Sequence, residues 1–493
     1  MNLNQKRISA PRLVLPLLLL GVAGHGPEVM AQSPGTFTAT VNMTTGRVQH
    51  TATLLPDGRV LIAGGNTACV IGSRCLRPDH AELYDPATGT FTATGSMSTG
   101  TFAEGGAVLL PDGKVLIAGV DITGTMASVE FYDPSTGEFN TAGKPATLTA
   151  VYSTALLNDG RVLLIGNSAA ELYDPVSGTF SPVANWPRQD YWYPVVLAGG
   201  EVLLAPYDSL SGCEIYDPAT GTFNLTGALG YFLGPPHRTL LLNGAVLFTG
   251  VSDGFGNVNR AKLYDPAAGI FASNGSMSAP RDLHSATLLP DGTVLVAGGA
   301  GQSGCMQPPL AGAEIYDPAT SGFSTTGSLA SARVAHTATL LNNGQVLITG
   351  GMAFTAGCQS YVGSSINGMS SAELYTPAVL VPAPVLFSTS GDGKGQGAIW
   401  HAQTGQIATA DNPAAAGEAL SMYTTSLANG GVIPPQVSIG GRLAQVLYFG
   451  ASGYPGYNQV NFQVPNGVVP GLAVPVRLTY LSRSSNAISI GVQ

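Results

Sequence analysis

Short unbroken apolar runs, each set off by a glycine-bearing turn, recur along most of the chain. Val60-Leu-Ile-Ala63 is the first, and similar runs return around Val115, Val162, Val202, Val246, Val294 and Val346. Such a run is the pattern of a strand covered on both faces. Ahead of it, His50-Thr-Ala-Thr-Leu-Leu55 predicts a partner strand, with Pro56-Asp57-Gly58 as the hairpin turn. Behind it, Glu82-Leu-Tyr84 opens a third strand, Asp85-Pro-Ala-Thr-Gly89 supplies a turn, and Phe91 begins a fourth. This four-strand unit, a to d, is marked seven times by a Tyr followed by Asp-Pro or Thr-Pro. The seven are Tyr84, Tyr132, Tyr173, Tyr216, Tyr264, Tyr316 and Tyr375, at intervals of about 41 to 59 residues. One unit cannot bury both of its faces, so the copies must stack.

The repeated text resembles the kelch-repeat β-propeller, of which the galactose oxidase central domain is one relative. The resemblance implies an all-β fold with seven blades. Strand d is marked by Phe91, Phe139, Phe180, Phe223, Phe271 and Phe323, but no such Phe follows Tyr375. The missing copy stands at the other end, in Gly35-Thr-Phe-Thr-Ala-Thr40, so residues 35–40 are expected to close the last blade. The propeller is placed at residues 32–378, with a linker and a second domain at 379–493.

Composition fits this reading: 65 Gly and 34 Pro serve tight turns, and only 10% of residues are charged. The net charge of −9 and the lack of a basic stripe argue against nucleic acid as a partner. Lys6, Arg7 and Arg12 ahead of Leu13–Leu20, with Val29-Met-Ala31 behind, match a secretory signal over residues 1–31. The mature chain is therefore expected to be exported (periplasmic, cell-surface or extracellular), monomeric and without a transmembrane segment. Export makes disulfides feasible. Cys69 with Cys75 and Cys305 with Cys358 are the expected pairs, and Cys213 is expected to be a buried thiol.

Propeller topology puts the uniform a–b and c–d turns on one face and the variable connections on the other. Insertions follow strand b in blades one (66–80), six (300–312) and seven (352–371), which are neighbours around a ring. Such loops are where a rigid scaffold carries binding. Blade four breaks the repeat with Asn185-Trp186-Pro-Arg188-Gln-Asp190-Tyr-Trp192-Tyr193, and Tyr152 and Tyr231-Phe232 flank it. Flat rings stack on sugar faces, so Trp186, Arg188, Tyr191, Trp192 and Tyr152 form the expected contact surface for a polysaccharide or an extracellular protein. The alternative for the same rings is packing between blades.

His50, His284 and His336 share one repeat position, three residues after Arg47, Arg281 and Arg333, with His237 near it. Residues repeated in this way are read as parts of the blade rather than a metal site. Asp121 and Asp253–Asn257 lack the dense acidic spacing of a calcium loop. Copper-radical oxidases related to galactose oxidase use a Cys-crosslinked Tyr, a Tyr-His pair and a further His from the C-terminal domain. This chain has no Tyr-His dipeptide, and its C-terminal part has only His401. No cofactor is expected, and a binding role is favoured. A sugar-processing enzyme is the alternative, although no pair of carboxylates declares itself as acid and base.

Past Tyr375, apolar runs at Leu420–Tyr423, Val437–Ile439, Ala444–Phe449, Val460–Val464 and Val474–Thr479 predict a β-sandwich, with its first strand within Ala378–Phe387. Gly395-Gln-Gly-Ala-Ile399, Asn412–Gly417, Ile439-Gly-Gly441, Gly456-Tyr-Asn-Gln-Val-Asn461 and Val464-Pro465 closely resemble the Ig-like C-terminal domain shared by many exported acidobacterial proteins. Asn458, Gln459 and Asn461 are read as residues that hydrogen-bond turns internally.

Overall fold

The computed structural model describes residues 35–70, 76–98, 106–120, 127–166, 168–186, 192–206, 212–230, 237–252, 258–301, 308–353, 365–428 and 430–493. Seven four-stranded antiparallel sheets form a propeller, and a curled β-domain follows. The described residues contain no helix, so the fold is all-β. Blade one shows the plan: Thr51–Leu54 is strand a, Val60–Ala63 strand b, His80–Asp85 strand c and Thr90–Ser96 strand d. Strand b is fully buried in every blade, as an apolar run sandwiched between neighbouring sheets must be.

The marker residues are the mortar of each blade. Every marker Tyr is buried and opposes a Phe across strands c and d. Ring centroids lie 4.8 Å apart for Tyr84–Phe91 and 4.7 Å for Tyr173–Phe180. In several blades the hydroxyl then reaches the preceding blade, as from Tyr132 to Thr94 at 2.9 Å and from Tyr264 to Thr226 at 2.8 Å. In the seventh sheet the fourth strand is Thr36–Ala39, in register with Ala372–Thr376, and Phe37 packs on Tyr375 at 4.8 Å.

The second domain is built on Ile399–His401, Ala419–Thr424, Gln436–Ile439, Arg442–Ala451, Asn458–Gln463 and Gly471–Tyr480. Arg442–Ala451 pairs with one layer through its first residues and with the other through the rest, which curls the sheet around a core of Leu420, Val437, Phe462 and Val476. The segment read as a first strand, Ala378–Phe387, makes only an isolated bridge, Leu386 with Thr424, because Pro382 and Pro384 break its ladder. The domain rests on the propeller face of the a–b turns. Val432 N donates to Leu242 O at 2.8 Å, Ala383 N donates to Asn342 O at 2.7 Å, and Leu443 lies beside Gly160.

Candidate functional site

The variable face begins where the connectors lead into strand a. There Arg47, Arg281 and Arg333 are buried and paired with the strand-c carboxylates Glu82, Glu314 and Glu373 at 3.4, 2.9 and 2.7 Å. Each Arg also donates to the carbonyl of a glycine after strand b, at Gly64, Gly298 or Gly350. The same carboxylates accept backbone N–H groups of the connector, as Glu373 does from Ala330 at 2.7 Å and Ser331 at 3.3 Å. Blade five reverses the polarity: Lys262 Nζ donates to Leu229 O at 2.6 Å.

The repeated histidines join one blade to the one before it. Nε2 of His284 bonds Thr249 Oγ1 at 2.7 Å, that of His336 bonds Ser285 Oγ at 2.9 Å, and that of His50 bonds Thr349 and Thr337 at 3.0 Å each. Each imidazole sits against a glycine of the preceding blade. A Cβ at Gly350 would lie 2.6 Å from His50 Cε1, so no other residue leaves room. Burial pushes His50 and His336 down to about 3 and lowers His284 in the same direction, so all three are neutral. His237 is not their equivalent. It pairs with Thr249 one residue further into strand a, as Thr51 pairs with Ala63.

The aromatic residues divide into two groups. Trp192 is 1% exposed and fills the seam between blades three and four, with Leu163, Val202 and Tyr216. Its carbonyl accepts from Ser153 Oγ at 2.6 Å. This corrects the expectation that its ring faces a ligand: the position that holds His50 in blade one points into the joint. Trp186 packs edge-on against Phe223 at 5.5 Å in the same seam, with part of its ring exposed and its indole nitrogen buried. Tyr152 immediately precedes strand a of blade three, Ser153–Leu156, and is half-buried. Arg188, Tyr191, Tyr231 and Phe232 lie outside the described residues, as do Asp121, Asp253 and the cysteines Cys75, Cys305 and Cys358. Cys69 belongs to Ala68–Val70, which pairs with Ser365–Asn367 and so joins the insertions of blades one and seven. Cys213 is a free buried thiol, pushed up to about 12 by desolvation.

One pair was missed by sequence reasoning. The Arg238 guanidinium lies 4.2 Å from the centre of the Tyr193 ring, on the inner strands of blades five and four. The strand-a position of Arg238 holds Ala52, Ala107, Thr154, Pro194, Ala286 and Ala338 elsewhere. Aligning the repeats by their strand-b pairing would have exposed this exception. Burial lowers Arg238 to about 10, which leaves it charged at neutral pH. A cleft of about 400 Å³ between the same blades lies on the opposite face, among turn residues such as Gly199, Asn243 and Pro266.

The chain matches no protein-family model and no curated protein sequence. Its structure is similar to that of a fungal alcohol oxidase of the AA5 family in complex with copper. The TM-score is 0.59 at 16% identity, over 94% of this chain and 100% of that one. The two share a fold. Among the described residues of this chain's kelch-type propeller, the repeated imidazoles do not form a donor set for copper. Each repeated imidazole is committed through Nε2 to a hydroxyl inside a blade joint. His401 is held on both nitrogens, by Glu418 and by the Asn412 carbonyl. Among the described residues, no three His, Cys, Asp or Glu side chains converge into a metal-holding group. Among those residues, too, no helix is long and apolar enough to cross a membrane.

Proposed function

We propose that this chain is an exported binding protein that takes a polysaccharide at the variable face of its propeller, in the sector of blades three to five. The Tyr193–Arg238 pair carries the reading, because a guanidinium lies over a ring on the inner strands, at a position where the other blades place Ala, Thr or Pro. An aromatic face stacks on a sugar ring, and a guanidinium donates to its hydroxyls or carboxylates. Tyr152 and the half-buried Trp186 belong to the same sector, and in sequence the segment holding Arg188 and Tyr191 connects Trp186 to the strand of Tyr193. Elsewhere on that face, the joined insertions of blades one and seven supply a wall.

The test is a glycan-array screen of the chain from Gln32 onward, with Arg238→Met and Tyr193→Ala alongside. Retention should fall about tenfold or more in both variants while the melting temperature holds. Unchanged retention in both would remove this sector from the binding surface. A blank array would turn the search to an extracellular protein partner.

A further inference from the structure

We propose that the outward face of the C-terminal domain is a second binding surface, independent of the propeller site, for neutral glycan chains. Residues 419–424 and 458–463 alternate between buried and half-buried positions, so Ser421, Tyr423, Gln459 and Asn461 all face away from the core. The register sets Tyr423 opposite Gln459 and Ser421 opposite Asn461. Trp400 opposes Ser421 from the adjoining strand. Three rings then stand together. Trp400 meets Tyr423 at 5.5 Å and 68°, and Tyr454, in the hairpin before Asn458, meets it at 6.0 Å and 85°. Tyr423 is thus flanked by two steeply inclined rings, an arrangement that offers both a face and walls to a flat apolar ligand surface.

The polar neighbours complete the chemistry. Gln459 Nε2 donates to Ser421 Oγ at 3.2 Å and to Asn461 Oδ1 at 2.9 Å. Among the described residues, this leaves Gln459 Oε1 and Asn461 Nδ2 without a bond, one acceptor and one donor side by side. A sugar hydroxyl is both donor and acceptor and answers such a pair. Asn458 alone among the three turn-reading residues behaves as the sequence suggests, accepting from Leu427 N at 3.3 Å.

Charge decides the class of ligand. The outward positions of Ile399–His401, Ala419–Thr424 and Asn458–Gln463 carry no acidic or basic side chain. An uncharged face of rings and amides complements a neutral polyhydroxylated chain, whereas a polyuronate or a charged protein surface would lose its solvation without compensation. The face also stays open, since the propeller is met through Val432, Leu443 and Arg477. Tyr454 is 50% exposed and Tyr457, beside it, 45%.

The experiment is affinity electrophoresis of the full chain from Gln32 through gels containing a neutral β-glucan, a neutral α-glucan or a polyuronate. Tyr454→Ala, Trp400→Ala and Arg238→Met run beside it, with light scattering on each protein. Retardation by a neutral glucan should weaken about tenfold or more in Tyr454→Ala and Trp400→Ala and persist in Arg238→Met. Tyr454 is exposed in a hairpin, so its variant keeps the fold, and an unchanged melting temperature verifies this. Three results would each overturn the proposal: retardation only by the polyuronate or by no glycan, retardation unaffected by Tyr454→Ala, or a dimer that Tyr454→Ala dissolves. Loss confined to Arg238→Met would place glycan binding on the propeller alone.

Discussion

Arg333 and Glu373 show how much of this molecule depends on charges out of water. Both side chains are buried, and the pair also gathers the carbonyls of Gly350 and Ser371 and the N–H groups of Ala330 and Ser331. Removing one partner strands the other, so Arg333→Met should cost about 3–5 kcal/mol. Adding Glu373→Gln to it should recover part of that loss, as a double-mutant cycle in urea will read. The spacing Arg-x-x-His was visible in the sequence, and so was its structural nature. The carboxylate that completes it was not, because Glu82, Glu314 and Glu373 lie about 33 to 40 residues downstream and meet their Arg only after the sheet has folded. Arg238 escaped for a related reason: its oddity is a property of its register against Phe248, which the text alone does not align.

At the scale of the strand and the blade, the pattern was nearly transparent. The run Val60–Ala63 is a strand at the same bounds, and Tyr84, predicted to mark strand c, is buried against Phe91. Hydrophobic runs and turn residues are local, and an antiparallel four-strand unit is built from local pairings. The blade-four rings were harder to place, since a Trp in an irregular stretch fits a seam as well as a surface. Trp192 went to the seam. Trp192→Ala should therefore destabilise the protein by about 3–5 kcal/mol, as truncation of a large buried ring does. Glycan retention per folded molecule should stay unchanged, measured at a temperature where the variant remains native. In the C-terminal domain the strands were legible from their alternation. The facing of Gln459 and Asn461 was not, because a glycine-rich hairpin beside them looked like the natural user of their amides.

The propeller as a whole holds four imidazoles in the neutral state. Burial lowers His50, His237 and His336 to about 3 from an ordinary value of 6.5, and it lowers His284 in the same direction. The unfolded chain binds more protons than the folded one between those values. Stability is thus fully present above about pH 6.5 and should fall by a few kcal/mol as acid is added towards pH 4, with the urea midpoint at pH 7.5 and pH 5 as the check. His50 and His336 belong to blades one and seven, where the ring is also held by the pairing of Thr36–Ala39 with Ala372–Thr376. That pairing sets order of synthesis against order of assembly. The strand made near the start waits for a partner made more than three hundred residues later, so a nascent chain carries an unmatched edge through almost all of its production. A prematurely ended polypeptide never obtains the partner. It keeps an open ring with a bare strand edge, the kind of surface that aggregates or is seized by proteases. The seam therefore serves as a test of completeness, passed only by a chain that has been made through its seventh blade.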